Sequence, residues 1–318
     1  MKAAVVSAFG VPPRYGDYPD PAAAGDSELV VGVLAAGLHP RVRSQADGSH
    51  YTSSGGLPLV PGIDGVGRGP DGLLRYFVLP DTTLGAMAER TIVDIRRSVV
   101  LPAGSDPVTV AAAMNPAMSS WVALRQRVRF QAGQNVLVLG ATGNAGQMAV
   151  QVAKLLGANR IVAAGRNAAR LAALPAAGAT GTVSLEGEPG VVATELGRAA
   201  ADADVVIDYL WGEPTTAALI AIVTERADRG QPLTWIEVGS VAGPAAQIPS
   251  AALRAARLTI VGSGQGSVSA REYLAELPAL AEAITTGALD VGARATPLAD
   301  VGKAWADTGA GHRVVFVP

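Results

Sequence analysis

The sequence predicts an α/β protein in two parts, a β-rich opening third followed by a doubly wound parallel sheet. Two textures carry this expectation. Up to about residue 118, short β-prone runs alternate with turn clusters; from residue 136 on, continuous apolar runs alternate with stretches of helical periodicity. The 318 residues, 49% hydrophobic and 16% charged, are ample for two buried cores.

In chain order, Met1 to Phe9 reads as a first strand, because the cluster from Gly10 to Asp20 ends its apolar run too soon for a signal-peptide core. Strands are expected at 28–34, 73–79, 89–93 and 98–101, separated by Pro12-Pro13, Ser53-Ser-Gly-Gly56, Pro61-Gly62 and Gly69-Pro70. That spacing suggests a compact barrel-like domain. The run 136–139 is apolar without alternation, as in a strand covered on both faces, and a glycine-rich turn leads from it into a helix at 147–156. Further strands are expected at 160–164, 182–185, 204–207, 233–238 and 258–261, a helix at 270–286 and a closing strand at 313–317. The boundaries read as 1–118, 119–262 and 263–318, the last segment returning to the first domain.

Composition excludes several chemistries. Cysteine is absent and histidine occurs three times, so thiolate ligands, thiol nucleophiles, disulfides and a three-histidine zinc cage have little to be built from. No metal ligands are assigned. No carboxylate partner for a histidine is evident from spacing, so a Ser-His-Asp hydrolase has no support. A net charge of −2 argues against a nucleic-acid partner, and no apolar run reaches a membrane span of roughly 18 residues. A cytoplasmic protein is expected.

The turn after 136–139 is Gly140-Ala141-Thr142-Gly143-Asn144-Ala145-Gly146, of the form Ala-x-Gly-x-x-Gly. Between a strand and a helix, such glycines permit a tight turn, approach of backbone to a pyrophosphate, and close packing of helix on strand. The helix N-terminus adds N–H donors and a positive dipole end. A bound dinucleotide is expected here. At the end of the next strand, where a carboxylate would bind the ribose of NAD, the chain has Gly165 and Arg166, with Arg170 one turn on. A guanidinium suits a 2′-phosphate, so the cofactor is expected to be NADPH, unless Arg166 merely caps the next helix.

With these residues placed, the chain resembles the medium-chain dehydrogenase/reductase superfamily, in its zinc-free quinone oxidoreductase and enoyl reductase branch. The resemblance rests on Ala35-Ala-Gly-Leu-His-Pro40, Leu57-Pro-Leu-Val-Pro-Gly-Ile-Asp-Gly-Val-Gly67, Gly85-Ala-Met-Ala-Glu89 and Leu101-Pro-Ala-Gly104. It continues through Ala112-Ala-Met-Asn-Pro-Ala-Met-Ser-Ser-Trp121, the glycine loop and Ala203-Asp-Val-Val-Ile-Asp208. It implies a chaperonin-10-like β-barrel domain, a Rossmann nucleotide domain, and a homodimer joined at the edge strand 258–261. Zinc-dependent members carry a cysteine where this chain has Gly37-Leu38, and Gly-His-Glu where it has Gly62-Ile63-Asp64. Both ligands are missing, which favours hydride transfer to an acceptor that needs no Lewis acid, a quinone or an α,β-unsaturated carbonyl.

The resemblance also marks site residues. Tyr51 matches a tyrosine that enoyl-reducing relatives place near the substrate carbonyl; it either donates there or packs in its loop. His39 replaces the usual asparagine before Pro40, and Arg41-Val-Arg43 replaces an acidic residue. This departure either makes a basic pocket, with His39 by the nicotinamide ribose, or is surface variation. His50 is a further polar candidate, and His312 reads as structural. Ser119 would meet the polar end of the cofactor, Asn115 the substrate, and Gly239 and Ser240 the nicotinamide ring. Tyr209 and Trp211 read as walls of the adenine or substrate cleft. The function expected is that of an NADPH-dependent, zinc-independent reductase; the alternatives are an idle NADPH-binding sensor or structural protein, and a tailoring enoyl reductase.

Overall fold

The structure, a computed structural model, describes residues 1–49, 56–264, 266–307 and 312–318. The chain has an α/β fold of two compact units, Met1–Asn115 with Leu277–Pro318, and Pro116–Glu276. The first stretch holds β1 (Lys2–Val5), β2 (Arg14–Asp17), β3 (Glu28–Gly37), α1 (Pro40–Ala46), β4 (Asp64–Arg68), β5 (Leu74–Val78), β6 (Arg90–Asp94), β7 (Ser98–Val100) and α2 (Pro107–Val122). The second unit continues with β8 (Asn135–Leu139), α3 (Asn144–Leu155), β9 (Arg160–Gly165), α4 (Ala168–Ala177), β10 (Gly181–Ser184), α5 (Pro189–Ala199), β11 (Val205–Asp208), α6 (Gly212–Glu225), β12 (Leu233–Glu237), α7 (Ser250–Ala255) and β13 (Leu258–Gly262). After α8 (Ala270–Thr285) come β14 (Ala293–Pro297), α9 (Val301–Ala306) and β15 (Arg313–Val317).

In the first unit β1 and β2 form a hairpin, and a seven-stranded sheet runs β14-β15-β3-β4-β5-β7 with β6 also on β3. Alternation sets the core face of β3, where Val31, Val33 and Ala35 are buried. Several elements escaped the sequence reading for physical reasons. β4 is glycine-rich and reads as a turn, yet Gly67 is required there because a Cβ would lie 2.4 Å from Val31 Cγ1 and 2.6 Å from the Gly32 carbonyl. β2 is almost wholly exposed and has no hydrophobic pattern. The expectation of strand and loop up to residue 118 is also corrected: α2 is a helix with Pro116 inside it, and α1 starts at Pro40, where a missing N–H costs nothing.

In the second unit six parallel strands run β10-β9-β8-β11-β12-β13. All four residues of β11 are buried, as are Val136 to Leu139 of β8, because helices cover both faces. The order reverses between β8 and β11, and a ligand crevice forms outside strand C-termini at such a switch point. α8 is tied to this unit at Glu276, a buried carboxylate that accepts from Trp121 Nε1 at 2.7 Å, Arg125 Nε at 2.6 Å and Gln126 Nε2 at 2.5 Å.

Burial alone would push the Glu276 carboxyl up, but the three donors outweigh it and hold it below the usual 4.5. A lowered folded-state value stabilises the fold above the unfolded pKa, and this stabilisation is lost as pH falls through the folded value. Glu276→Ala is expected to cost roughly 2–4 kcal/mol in urea unfolding at neutral pH, with the difference from wild type shrinking below about pH 4. An equal cost at both pH values would show that the charge is irrelevant.

Candidate functional site

The end of β8 and the start of α3 are built around two glycines. Gly140 has φ 84°, a conformation that side chains resist. A Cβ on Gly146 would lie 2.3 Å from the Gly140 carbonyl and 2.6 Å from Ala141 Cα, so α3 packs backbone to backbone on the turn. Gly143 is the N-cap of α3; it offers no side-chain cap, and no acidic residue stands in the first turn. A Cβ there would meet only the Gly140 carbonyl, at 3.5 Å. The first-turn amides of Asn144, Ala145 and Gly146 thus face a helix end with no capping side chain, which suits an anion.

Gly165 ends β9 beneath Thr142, whose Cγ2 would lie 2.5 Å from an added Cβ. Arg166 is exposed, and the capping role belongs to Asn167, whose side chain accepts from the Arg170 amide at 2.9 Å. Arg170 Nη1 donates to the Thr142 carbonyl at 2.8 Å, binding α4 to the glycine loop. These residues converge around one turn. They fit a dinucleotide phosphate and carry no carboxylate against a 2′-phosphate.

Asp208 at the end of β11 was missed as an organiser. Its Oδ1 accepts from the amides of Leu210 at 2.8 Å and Trp211 at 3.1 Å, and its Oδ2 from Thr215 Oγ1 and, at 2.9 Å, Trp235 Nε1. Of the two expected wall residues, Tyr209 is taken into the packing and Trp211 stays partly exposed. Tyr209 is buried, its hydroxyl 2.9 Å from Ser119 Oγ, and burial pushes it up to about 12. Trp211 is the N-cap of α6 at φ 53°, partly buried against the core. Ser119 also donates to the Pro116 carbonyl at 2.9 Å. Gly239 lies against the Tyr209 carbonyl, 3.3 Å from where its Cβ would stand, and Ser240 is exposed. Beside them Glu237, in register with Asp208, is half-buried and pushed up by burial and by the Asp208 charge. Asn115 and Ser119, one turn apart on α2, are partly exposed while residues 111–114 and 116–118 are buried.

In the first unit His39 has the carboxylate partner that spacing could not reveal. Its Nε2 lies 2.9 Å from Asp64 Oδ1, and Tyr76 donates to Oδ2 at 2.8 Å; all three residues are buried. Burial pushes His39 down, with Asp64 opposing and Arg313 and Arg41 assisting. Arg313, itself buried and lowered by burial to about 10, places its charge near Asp64 and Tyr76. The proposed basic pocket of Arg41 and Arg43 is corrected: Arg41 pairs with Asp81 at 2.9 Å, while Arg43 donates to the Trp305 carbonyl at 2.6 Å and stacks on that indole. His312 is exposed. Tyr51 and His50 lie outside the described residues.

Comparison with known proteins decides the family. The chain is 32% identical to a probable NADPH-dependent quinone reductase, tdiC of Emericella nidulans, over the full length of both. It belongs to the medium-chain dehydrogenase/reductase superfamily. Residues 145–283 match the zinc-binding dehydrogenase family of this superfamily. Among solved members, the quinone oxidoreductase of Thermus thermophilus, determined also with NADPH, superposes with TM-score 0.81 at 26% identity, covering 100% of both chains. A mycobacterial quinone oxidoreductase shares the fold, with TM-score 0.83 at 22% identity and 100% of both chains covered.

The superfamily includes zinc enzymes, but the residues here do not fit that ion. At Gly37 a Cβ would lie 2.7 Å from the Ala111 carbonyl, so a side chain at this position meets backbone. Ile63 offers no donor, and the Asp64 oxygens are taken by His39 and Tyr76. Among the described residues no three His, Asp or Glu side chains gather as a metal site.

Two substitutions probe the nucleotide end. Gly146→Ala forces backbone apart and is expected to cost about 1–3 kcal/mol in stability and to weaken NADPH binding at least tenfold, read by calorimetry. Arg166→Asp should raise the Michaelis constant for NADPH tenfold or more and leave that for NADH within about threefold; equal changes would remove Arg166 from phosphate recognition.

Proposed function

We propose that the chain is an NADPH-dependent, zinc-independent reductase of a quinone or an α,β-unsaturated carbonyl. The observation that carries this reading is the helix end at Gly143, with no capping side chain, beside Arg166, where no carboxylate opposes a 2′-phosphate. The NADPH named for tdiC and for the Thermus enzyme supports it. When bound, NADPH supplies a hydride to the acceptor.

The protein's part is to hold and orient. The first-turn amides of Asn144, Ala145 and Gly146 take the pyrophosphate, and Arg166 with Arg170 takes the 2′-phosphate. Ser119, kept in place by Tyr209, and the Gly239-Ser240 turn border the nicotinamide. We assign Asn115, His39 and Tyr51 to the acceptor, whose oxygen becomes negative as the hydride arrives and must find a donor. A second copy is placed across the β13 edge of the parallel sheet, where three of the five residues are half-buried and two exposed. No described helix is long and apolar enough to cross a membrane, and we place the protein in the cytoplasm.

NADPH oxidation with a panel of quinones and enones tests the reading. Turnover is expected with at least one class, several-fold faster with NADPH than with NADH, and unchanged after chelator treatment. Loss of activity on chelation would overturn zinc independence, and cofactor binding without turnover on any acceptor would replace the reductase by a binding protein.

A further inference from the structure

The residue that follows β11 touches the proposed cofactor cradle at several points, all within the second unit. The Tyr209 amide donates to the Leu139 carbonyl at 3.1 Å, and its own carbonyl accepts from the Val241 amide at 3.3 Å. A Cβ built on Gly140 would lie 3.2 Å from Tyr209 Cβ, and one on Gly239 would lie 3.3 Å from the Tyr209 carbonyl oxygen. The main chain of Tyr209 is thus wedged between the glycine turn and the Gly239-Ser240 turn. Its ring runs to α2, where the hydroxyl stands 2.9 Å from Ser119 Oγ.

The directions of these bonds follow from the protons available. A serine hydroxyl has one proton and two lone pairs. Ser119 donates its proton to the Pro116 carbonyl at 2.9 Å, one turn back on the helix. Ser120, which also acts on the phenol, is fully buried and donates to the Ala117 carbonyl at 3.1 Å. Both serines therefore offer the phenol lone pairs, and a buried phenol must place its proton on an acceptor. Burial pushes Tyr209 up to about 12, so it keeps that proton near neutrality and stays a donor. With one lone pair of Ser119 taken by Tyr209, what remains is the other, and Ser119, unlike Ser120, is partly exposed.

We propose that Tyr209 is a positioning residue that holds Ser119 as a hydrogen-bond acceptor, so that the group Ser119 meets on a bound nicotinamide riboside is an N–H or O–H donor. This rests on the cofactor reading given above, which assigns Ser119 to the nicotinamide. A free serine rotates to suit either partner and accepts a carboxamide presented by its nitrogen or by its oxygen. A serine whose proton is committed discriminates, because a ligand oxygen brought to it sets lone pair against lone pair. The donor is the carboxamide NH2 or a ribose hydroxyl, two sources that one analogue separates.

Calorimetric titration of the full chain with NADPH and with its 3-acetylpyridine analogue, which carries a methyl group in place of the carboxamide NH2, tests the assignment. Where the donor is the carboxamide, wild type binds the analogue about tenfold more weakly than NADPH, and Tyr209→Phe brings the two within about threefold. Where it is a ribose hydroxyl, wild type binds both alike and Tyr209→Phe weakens both by about threefold to tenfold. In either case Ser119→Ala reproduces the change, and Ser119→Ala combined with Tyr209→Phe binds no more weakly than Ser119→Ala alone, since the phenol acts through the serine. Tyr209→Phe titrating as wild type with both ligands, or losses that add in the double variant, would overturn the proposal. Ser119→Ala keeps it falsifiable should Tyr209→Phe fail to fold: unchanged affinity for both ligands in that variant also counts against it. A wild-type chain that does not bind NADPH overturns the cofactor reading and this inference together, whereas NADPH binding indifferent to both substitutions overturns the inference alone.

Discussion

The nucleotide unit depends on the contact between the first turn of α3 and the end of β8, where position 146 has no room for a side chain. This close approach points the helix axis at the end of the strand and delivers three consecutive amides to one point. It also explains why Gly143 can cap without a side chain: a hydroxyl or carboxylate there would satisfy the amides internally and close the site to an outside anion. Asp208 performs the matching task across the switch point, joining β11, the turn after it, α6 and β12 through four donors. The crevice is rigid on both sides for different reasons, steric on one and electrostatic on the other.

How much of this could be read from the residues depends on the distance over which each feature is encoded. The parallel sheet was legible because each buried strand is a local run, and β15 was anticipated at its observed bounds, 313–317. The glycine loop was legible because strand, turn and helix are contiguous. β4 was not, since its Gly67 is dictated by Val31 and Gly32 on a neighbouring strand and its Gly65 by Ala35, Phe77 and Ala86. The pair of His39 and Asp64 was hidden in the same way: 25 residues separate them, and only the pairing of β3 with β4 brings their segments together. Tyr209 misled because aromatic character suggests a cleft wall, whereas its hydroxyl had a buried partner in Ser119.

The first unit buries a carboxylate, an imidazole, a phenol and a guanidinium together, those of Asp64, His39, Tyr76 and Arg313. Such a cluster is costly when any member is removed and well behaved when complete. It reads as a fixed polar scaffold in an otherwise apolar core.

Arg166 stands apart from every such network: it is exposed, its neighbour Asn167 performs the capping, and the glycine below it is shaped by Thr142. The position proposed to meet the 2′-phosphate is therefore mechanically uncoupled from the glycines that shape the turn. A side chain at 166 can therefore change without disturbing the fold beneath it, while the glycines and Asp208 are held by backbone contact and by four donors.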